Sequence, residues 1–149
     1  PLIVYGLDDV RPRISKEFTS IMDIAPTIYE ILGIKSSFKK DLDLPFTFNG
    51  ESIIPYLHKK ENKIHDKNYV FSFEHSGNAV LIKDNWKIVN KTTPFDENNF
   101  ELYELSDISE SNNLKFKFGE IYSQLLIEWN NYKKSKKIIF PTPFRDDLN

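Results

Sequence analysis

A chain of 149 residues with 40% hydrophobic and 14% aromatic content can bury one ordinary core or two small lobes, and is not a disordered segment. Its net charge of -2, from 20 basic and 22 acidic residues, gives no basic face for nucleic acid and no polybasic membrane signal. The lack of cysteine excludes a disulfide framework, a thiolate zinc site and a cysteine nucleophile, and no apolar run approaches the roughly 18 residues of a membrane-spanning helix.

Residues 2–5, LIVY, are a continuous apolar, β-branched run suited to a strand buried on both faces. A chain opening on such a strand is expected to be part of something longer. Residues 6–13 are charged and contain proline, so they must turn. Asp23 is placed to cap a helix, and Pro26 sits in its first turn, where a missing donor costs nothing. Ile24, Ile28, Ile31 and Leu32 form its apolar stripe, and Gly33 supplies the stop. Residues 36–48 form a loop rich in lysine and aspartate. A second short helix falls within FNGESIIPYL, residues 48–57. Residues 58–68 carry the run KKENKIHDK, read as solvated surface.

Residues 70–73, 79–82, 86–89 and 100–105 read as four short strands, with Asp84 and Asn85 turning the chain between the second and third. Short connections favour antiparallel neighbours. Phe118, Ile121, Tyr122, Leu125, Leu126 and Trp129 recur at helical spacing, with Glu120, Ser123, Gln124 and Glu128 opposite, which predicts an amphipathic helix over about 117–134. Lys133 and Lys134 suit the negative end of its dipole. Its apolar stripe needs the four-stranded sheet as partner. The following IIFPTPF runs extended, its two prolines blocking further helix. Trp86 reads as core, anchoring the sheet under the helix, and Lys87 as exposed on the opposite face.

Several of these segments resemble arylsulfatase-type sulfatases of the alkaline-phosphatase-like superfamily. EHSGNAVLIKDNWKIV (74–89) is similar to that family's EHxGN loop and WK(L/I)V strand, and ELYELSDISESNNL (101–114) to its ELY(D/E)L strand and SExxNL turn. SIMDIAPTIYEILGI resembles SxxDxxPTxxxxxGI, the segment after the last buried strand, and FNGESIIPYL resembles xxGxSLLPLL. The likeness is scattered over residues 1–140 and dense at 19–34 and 70–114. It implies an α/β fold, α+β in this chain: residues 1–68 as the last strand and helix of a large α/β domain, and 69–149 as a subdomain of antiparallel sheet and helix.

The resemblance also implies hydrolysis of sulfate monoesters by a formylglycine made from a C/S-x-P-x-R motif. It implies calcium held by Asp and Asn oxygens, with Lys and His around the sulfate, where cations offset charge on the departing ester oxygen. Most of these parts are not present: there is no cysteine, no serine is followed by x-P-x-R, and the pairs Asp8–Asp9 and Asp146–Asp147 lie in a turn and at the tail. The chain is therefore expected to begin beyond the catalytic half, to be inert alone and to expose apolar surface, with calcium ligands lying outside it.

What remains for substrate is the loop from Glu74 to Asn78. The resemblance puts it near the pocket mouth, where His75 would contact the sulfate or leaving-group side and Glu74 and Asn78 would orient it or bind a sugar hydroxyl. The structural alternative is that Glu74 and His75 satisfy backbone groups of a turn, with Gly77 and Asn78 supplying a positive-φ position. Where relatives have GNRAVRxGDWK this chain has Ala79 and Ile82 for the two arginines. His58 and His65 have no ligand spacing for zinc, and Asn90-Lys91-Thr92 matches a glycosylation acceptor pattern. The expected partner is a small-molecule or sugar sulfate ester. A phosphonate or phosphate ester hydrolase and a freestanding binding module stand as alternatives.

Overall fold

Strand alternation from residue 70 onward builds one antiparallel sheet in sequential order: β1 (Val70–His75), β2 (Asn78–Lys83), β3 (Trp86–Asn90) and β4 (Glu101–Glu104). This is a computed structural model, and it describes residues 2–34, 49–92 and 94–140. The loop expected at 36–48, the acidic pair at 146–147 and the tail beyond Phe140 lie outside the described residues. The chain divides into two units between Asp66 and Lys67.

In the second unit the register decides the two faces of the sheet. Leu81 pairs with Ile88, and Ile88 with Leu102. All three are fully buried beneath α3 (Gly119–Lys136, numbered after two short helices described below), together with Phe100 and Trp129. Complete burial of each such side chain favours the folded state by about 1.5–3 kcal/mol. Trp129, rather than Trp86, occupies the centre, with its ring 5.4 Å from Phe100. Trp86 is only half-buried and tilts against Phe118 at 5.0 Å. It opens β3 right after the turn, so it covers the end of the core, whereas Trp129 lies in the third turn of α3, over the middle.

Lys87 also departs from expectation. It points away from α3 yet is buried, because the loop after β4 folds back over that face. Its Nζ lies 3.0 Å from Glu110 Oε1 and 5.9 Å from the centre of the Tyr103 ring. The same loop ties down the open edge of β4: Leu114 N–H donates to Leu102 O at 2.8 Å, and Leu102 N–H to Asn113 Oδ1 at 3.2 Å. An edge strand whose backbone is bonded this way offers less of a template for another chain.

The first unit is mostly turns. Ser20 caps a 3₁₀ turn, Ile21–Asp23, which runs into α1 (Ile24–Ile31); α2 (Ile54–Leu57) follows. Asp23 occupies the N-cap position of α1, as expected, but its side chain bonds no N–H of that helix. It is the third residue of the preceding turn, and its carboxylate reaches back to Ser20 N–H in a reciprocal capping box. Gly33 ends α1 at φ 65, with Ile34 N–H donating to Tyr29 O in a Schellman closure. The stripe of α1 is largely exposed (Ile28 49%, Ile31 52%, Leu32 64%). Residues 2–5 form no strand, because no described residue pairs with them, and Ile3 is 89% exposed. Asp8 and Asp9 lie in an exposed turn. The run at 59–68 is solvated except for Ile64, which is buried, and His65, whose side chain is 8% exposed.

Candidate functional site

The loop that sequence singled out is the turn of the β1–β2 hairpin. A two-residue connection needs left-handed backbone, and here Ser76 (φ 51) and Gly77 (φ 82) supply it rather than Gly77 and Asn78. Neighbouring residues of a strand project to opposite faces, and this separates the three candidates. Glu74 faces α3, and its Oε1 accepts the Gly77 N–H at 3.0 Å, closing the turn from below. His75 and Asn78 are cross-strand partners on the other face, both exposed, and Asn78 Nδ2 donates to His75 O at 3.3 Å. The imidazole lies nearly parallel to Phe73, with centroids 6.2 Å apart and planes 19° apart. Geometry therefore groups His75 with Asn78 and Phe73, and gives Glu74 a turn-closing bond. Of the two positions that lack arginine, Ala79 faces the core and Ile82 the same outer face as His75.

A second polar centre was missed by sequence reasoning. Asp23 is fully buried, and its carboxylate accepts Ser20 N–H at 2.7 Å and Glu51 N–H at 2.9 Å, with His65 Nε2 3.1 Å away. Thr27 Oγ1 donates to Asp23 O at 2.6 Å and accepts Ile53 N–H at 3.1 Å. Gly50 sits so close that a Cβ there would lie 2.1 Å from Met22 O, so only glycine fits. Ser20, Asp23 and Thr27 of SIMDIAPT and Gly50 and Glu51 of NGES thus hold one segment on the other. The signal available in the sequence was the Ser20-x-x-Asp23 box; the partner His65 lies 42 positions away.

The third cluster organises residues 105–114. Asp107 accepts backbone N–H groups from Ser111 at 3.0 Å and Asn112 at 3.1 Å, and a hydroxyl from Ser109 at 3.0 Å. The Asn112 N–H, opposed by burial but joined by the bonds from Ser109 and Ser111, holds its carboxyl below the usual carboxylate range. At Glu110 burial pushes the other way, but the hydrogen bonds from Lys91 and Lys87 prevail and the value is lowered. Burial first, then the bond Tyr103 donates to Glu101 Oε2, push the Tyr103 phenol up to about 12.

The acceptor pattern at Asn90 is occupied structurally. Asn90 is fully buried, its Nδ2 donates to Asp96 O at 2.6 Å and its Oδ1 accepts the Thr92 N–H and hydroxyl. In the folded chain that nitrogen is buried and hydrogen-bonded. Among the described residues no group of three or more His, Asp or Glu could hold a metal. Among the described residues of the first unit the one buried carboxylate is taken by N–H donors and His65, so those residues do not fit calcium.

No protein-family model matches the chain. Solved structures do. BT33336S-sulf, reported with the words "Metabolism of multiple glycosaminoglycans by Bacteroides thetaiotaomicron is orchestrated by a versatile core genetic locus", matches 75% of this chain at TM-score 0.51 and 19% identity. Ps i-CgsB matches 74% of it at TM-score 0.52 and 18% identity. The chain has the fold of a sulfatase C-terminal domain. It spans about a quarter of the length of those structures, 24% and 23%. Within that sulfatase-like fold the hairpin, β3, β4 and α3 are the described elements expected from the resemblance, and the strand at residues 2–5 is not formed.

Proposed function

We propose that this chain is the C-terminal part of an arylsulfatase-like enzyme hydrolysing sulfate monoesters, and that it supplies scaffold and pocket rim rather than the reacting groups. The observation that carries this reading is the coincidence of two things: a fold shared with BT33336S-sulf over 75% of the chain, and the EHSGN…WKIV…ELYEL series on one sheet, with SESNNL in the loop that follows it. The polar residues of those motifs are spent on turn closure and segment ties, which supports a structural role for most of them. His75 and Asn78 are the exposed exceptions, and we assign them to the substrate side; Glu74 acts through the turn it closes. Calcium and the nucleophile belong to residues outside this chain, and the substrate would be an aryl or sugar sulfate.

The test is hydrolysis by the polypeptide that contains this chain, assayed on an aryl sulfate, a sugar sulfate and the matching phosphate esters. Sulfate release that exceeds phosphate release supports the reading. Preferential phosphate release would replace it with the phosphate ester hydrolase alternative. The 149-residue chain alone is expected to release neither.

A further inference from the structure

The tie between residues 20–27 and 49–53 passes through a reactive dipeptide that the proposed function does not use. Asn49-Gly50 is the one Asn-Gly pair among the five glycines of the sequence. An asparagine carboxamide is short enough to reach the backbone nitrogen of the next residue, and a glycine there has no Cβ to hinder the approach. Asn49 is exposed, whereas Gly50 is buried. What encloses Gly50 is backbone: a Cβ there would lie 2.1 Å from Met22 O and 2.7 Å from Asp23 N. The next amide, Glu51 N–H, donates to Asp23 Oδ1 at 2.9 Å, and Ile53 N–H donates to Thr27 Oγ1 at 3.1 Å. A susceptible side chain therefore stands in solvent while the nitrogen it must meet is clamped.

We propose that Asn49 is a self-modification site, held unreacted by the Asp23 tie and, once converted, releasing that tie irreversibly. In the step the Gly50 backbone nitrogen loses its proton and attacks Asn49 Cγ. An N–C bond forms, the bond from Cγ to the amide nitrogen breaks and ammonia leaves, giving a five-membered succinimide. Water then opens the ring at either carbonyl, to aspartate or isoaspartate, so no oxidant, reductant or second enzyme is needed. Ring closure requires the Gly50 peptide to turn toward the Asn49 side chain. The contact with Met22 and the bond from Glu51 N–H both oppose that turn, so the reaction runs from a locally opened form, at a rate set by its population. Isoaspartate carries the backbone through Cβ and so adds one methylene between residues 49 and 50. A backbone already pressed on Met22 has no room for it, and Glu51 N–H is drawn off Asp23 Oδ1. The device works whether or not the parent protein cleaves sulfate esters.

Peptide mapping by mass spectrometry tests this, with isoaspartyl methyltransferase as the probe for isoaspartate. The polypeptide that contains this chain is incubated at mildly alkaline pH, once folded and once in guanidinium chloride. In denaturant Asn49 should convert ahead of the other asparagines, and in the folded protein at least roughly tenfold more slowly. Asp23→Asn, which removes one of the clamping bonds, should raise the folded rate roughly tenfold and leave the denatured rate unchanged. Should that variant fail to fold, Thr27→Val, which removes the acceptor of Ile53 N–H, carries the same comparison. Asn49→Gln, at an exposed position, should abolish the methylated peptide at this site and melt as the parent does. In the folded protein, the isoaspartate-containing fraction should exchange the Glu51 amide hydrogen faster than the unconverted fraction. Equal folded and denatured rates, a folded variant that converts as slowly as the parent, or unchanged exchange at Glu51 would each overturn the proposal. So would a lack of conversion at Asn49 in denaturant.

Discussion

Residues 67–140 are organised around Leu81, Ile88, Phe100, Leu102 and Trp129, none of which reaches solvent, whereas the described residues of the first unit bury only Ile53, Ile54 and Ile64 among their large apolar side chains and centre on one carboxylate. In the sheet-and-helix unit, non-directional apolar burial is the main favourable term, and polar groups such as Lys87 and Glu110 are fitted around it. In the other unit, directional bonds to Asp23 join pieces too short to make a core. The difference teaches where each is fragile: the first to loss of volume, the second to loss of one acceptor.

The largest effect is expected from Trp129→Ala, which should cost about 3–5 kcal/mol in urea unfolding, because the side chain is wholly enclosed and its neighbours cannot collapse into the space. Trp86→Ala should cost about 1–2 kcal/mol, since the half-buried ring loses less apolar contact. If the two tryptophans cost the same, the placement of the core under the third turn of α3 is wrong. Asp23→Asn comes next, at about 2–3 kcal/mol, because Ser20 N–H and Glu51 N–H bond different carboxylate oxygens, and an amide keeps one acceptor oxygen and turns a donating NH2 on the other N–H. Hydrogen exchange should then speed up at those two amides. An Asn variant that exchanges as the parent does would mean that Asp23 does not hold the first unit together.

What was legible in the sequence follows the same division. Period-2 and period-3.6 patterns located all four strands within two residues at each end and α3 within two, because each presents a repeated apolar face to one core. Periodicity names a face but not a depth, so it could not rank Trp86 below Trp129. It could not show that the loop at 105–114 returns over Lys87, since that depends on the Asp107 turn. Asp23 and His65 have no periodic signature, and their pairing across 42 positions is set by tertiary structure alone. For the candidate site, the opposite directions of Glu74 and His75 were implicit in their adjacency on a strand, whereas the parallel alignment of Phe73 and His75 depends on side-chain rotamers.

Smaller effects come from the polar groups fitted around the apolar core. Glu110 is held below its ordinary value despite burial, by Lys91 and Lys87. A carboxylate lowered on folding stabilises the fold above its unfolded value, and that contribution is lost as pH falls through the lower folded value. Glu110→Gln should therefore cost about 1 kcal/mol near neutrality and progressively less in acid, measured as unfolding midpoints across an acid series. An unchanged gap between the two proteins at every pH would place the acid sensitivity elsewhere, with Asp107 the next group to replace.

Tyr103 gives the finest test, and its sign is opposite. Burial and the Glu101 carboxylate that accepts its hydroxyl proton favour the neutral phenol, raising its value to about 12. A group raised on folding contributes stability that is fully present below its unfolded value and is lost as pH rises through the folded one. Tyrosinate absorbance should consequently show one late-titrating component near 12 that disappears in Tyr103→Phe. The same substitution should change neutral stability by no more than about 1 kcal/mol, since ring packing is kept and only one hydrogen bond is removed. If the late component survives in the Phe variant, the covering of this face by residues 105–114 is wrong. Lys87 would then return to the solvent-exposed position that alternation alone assigns it.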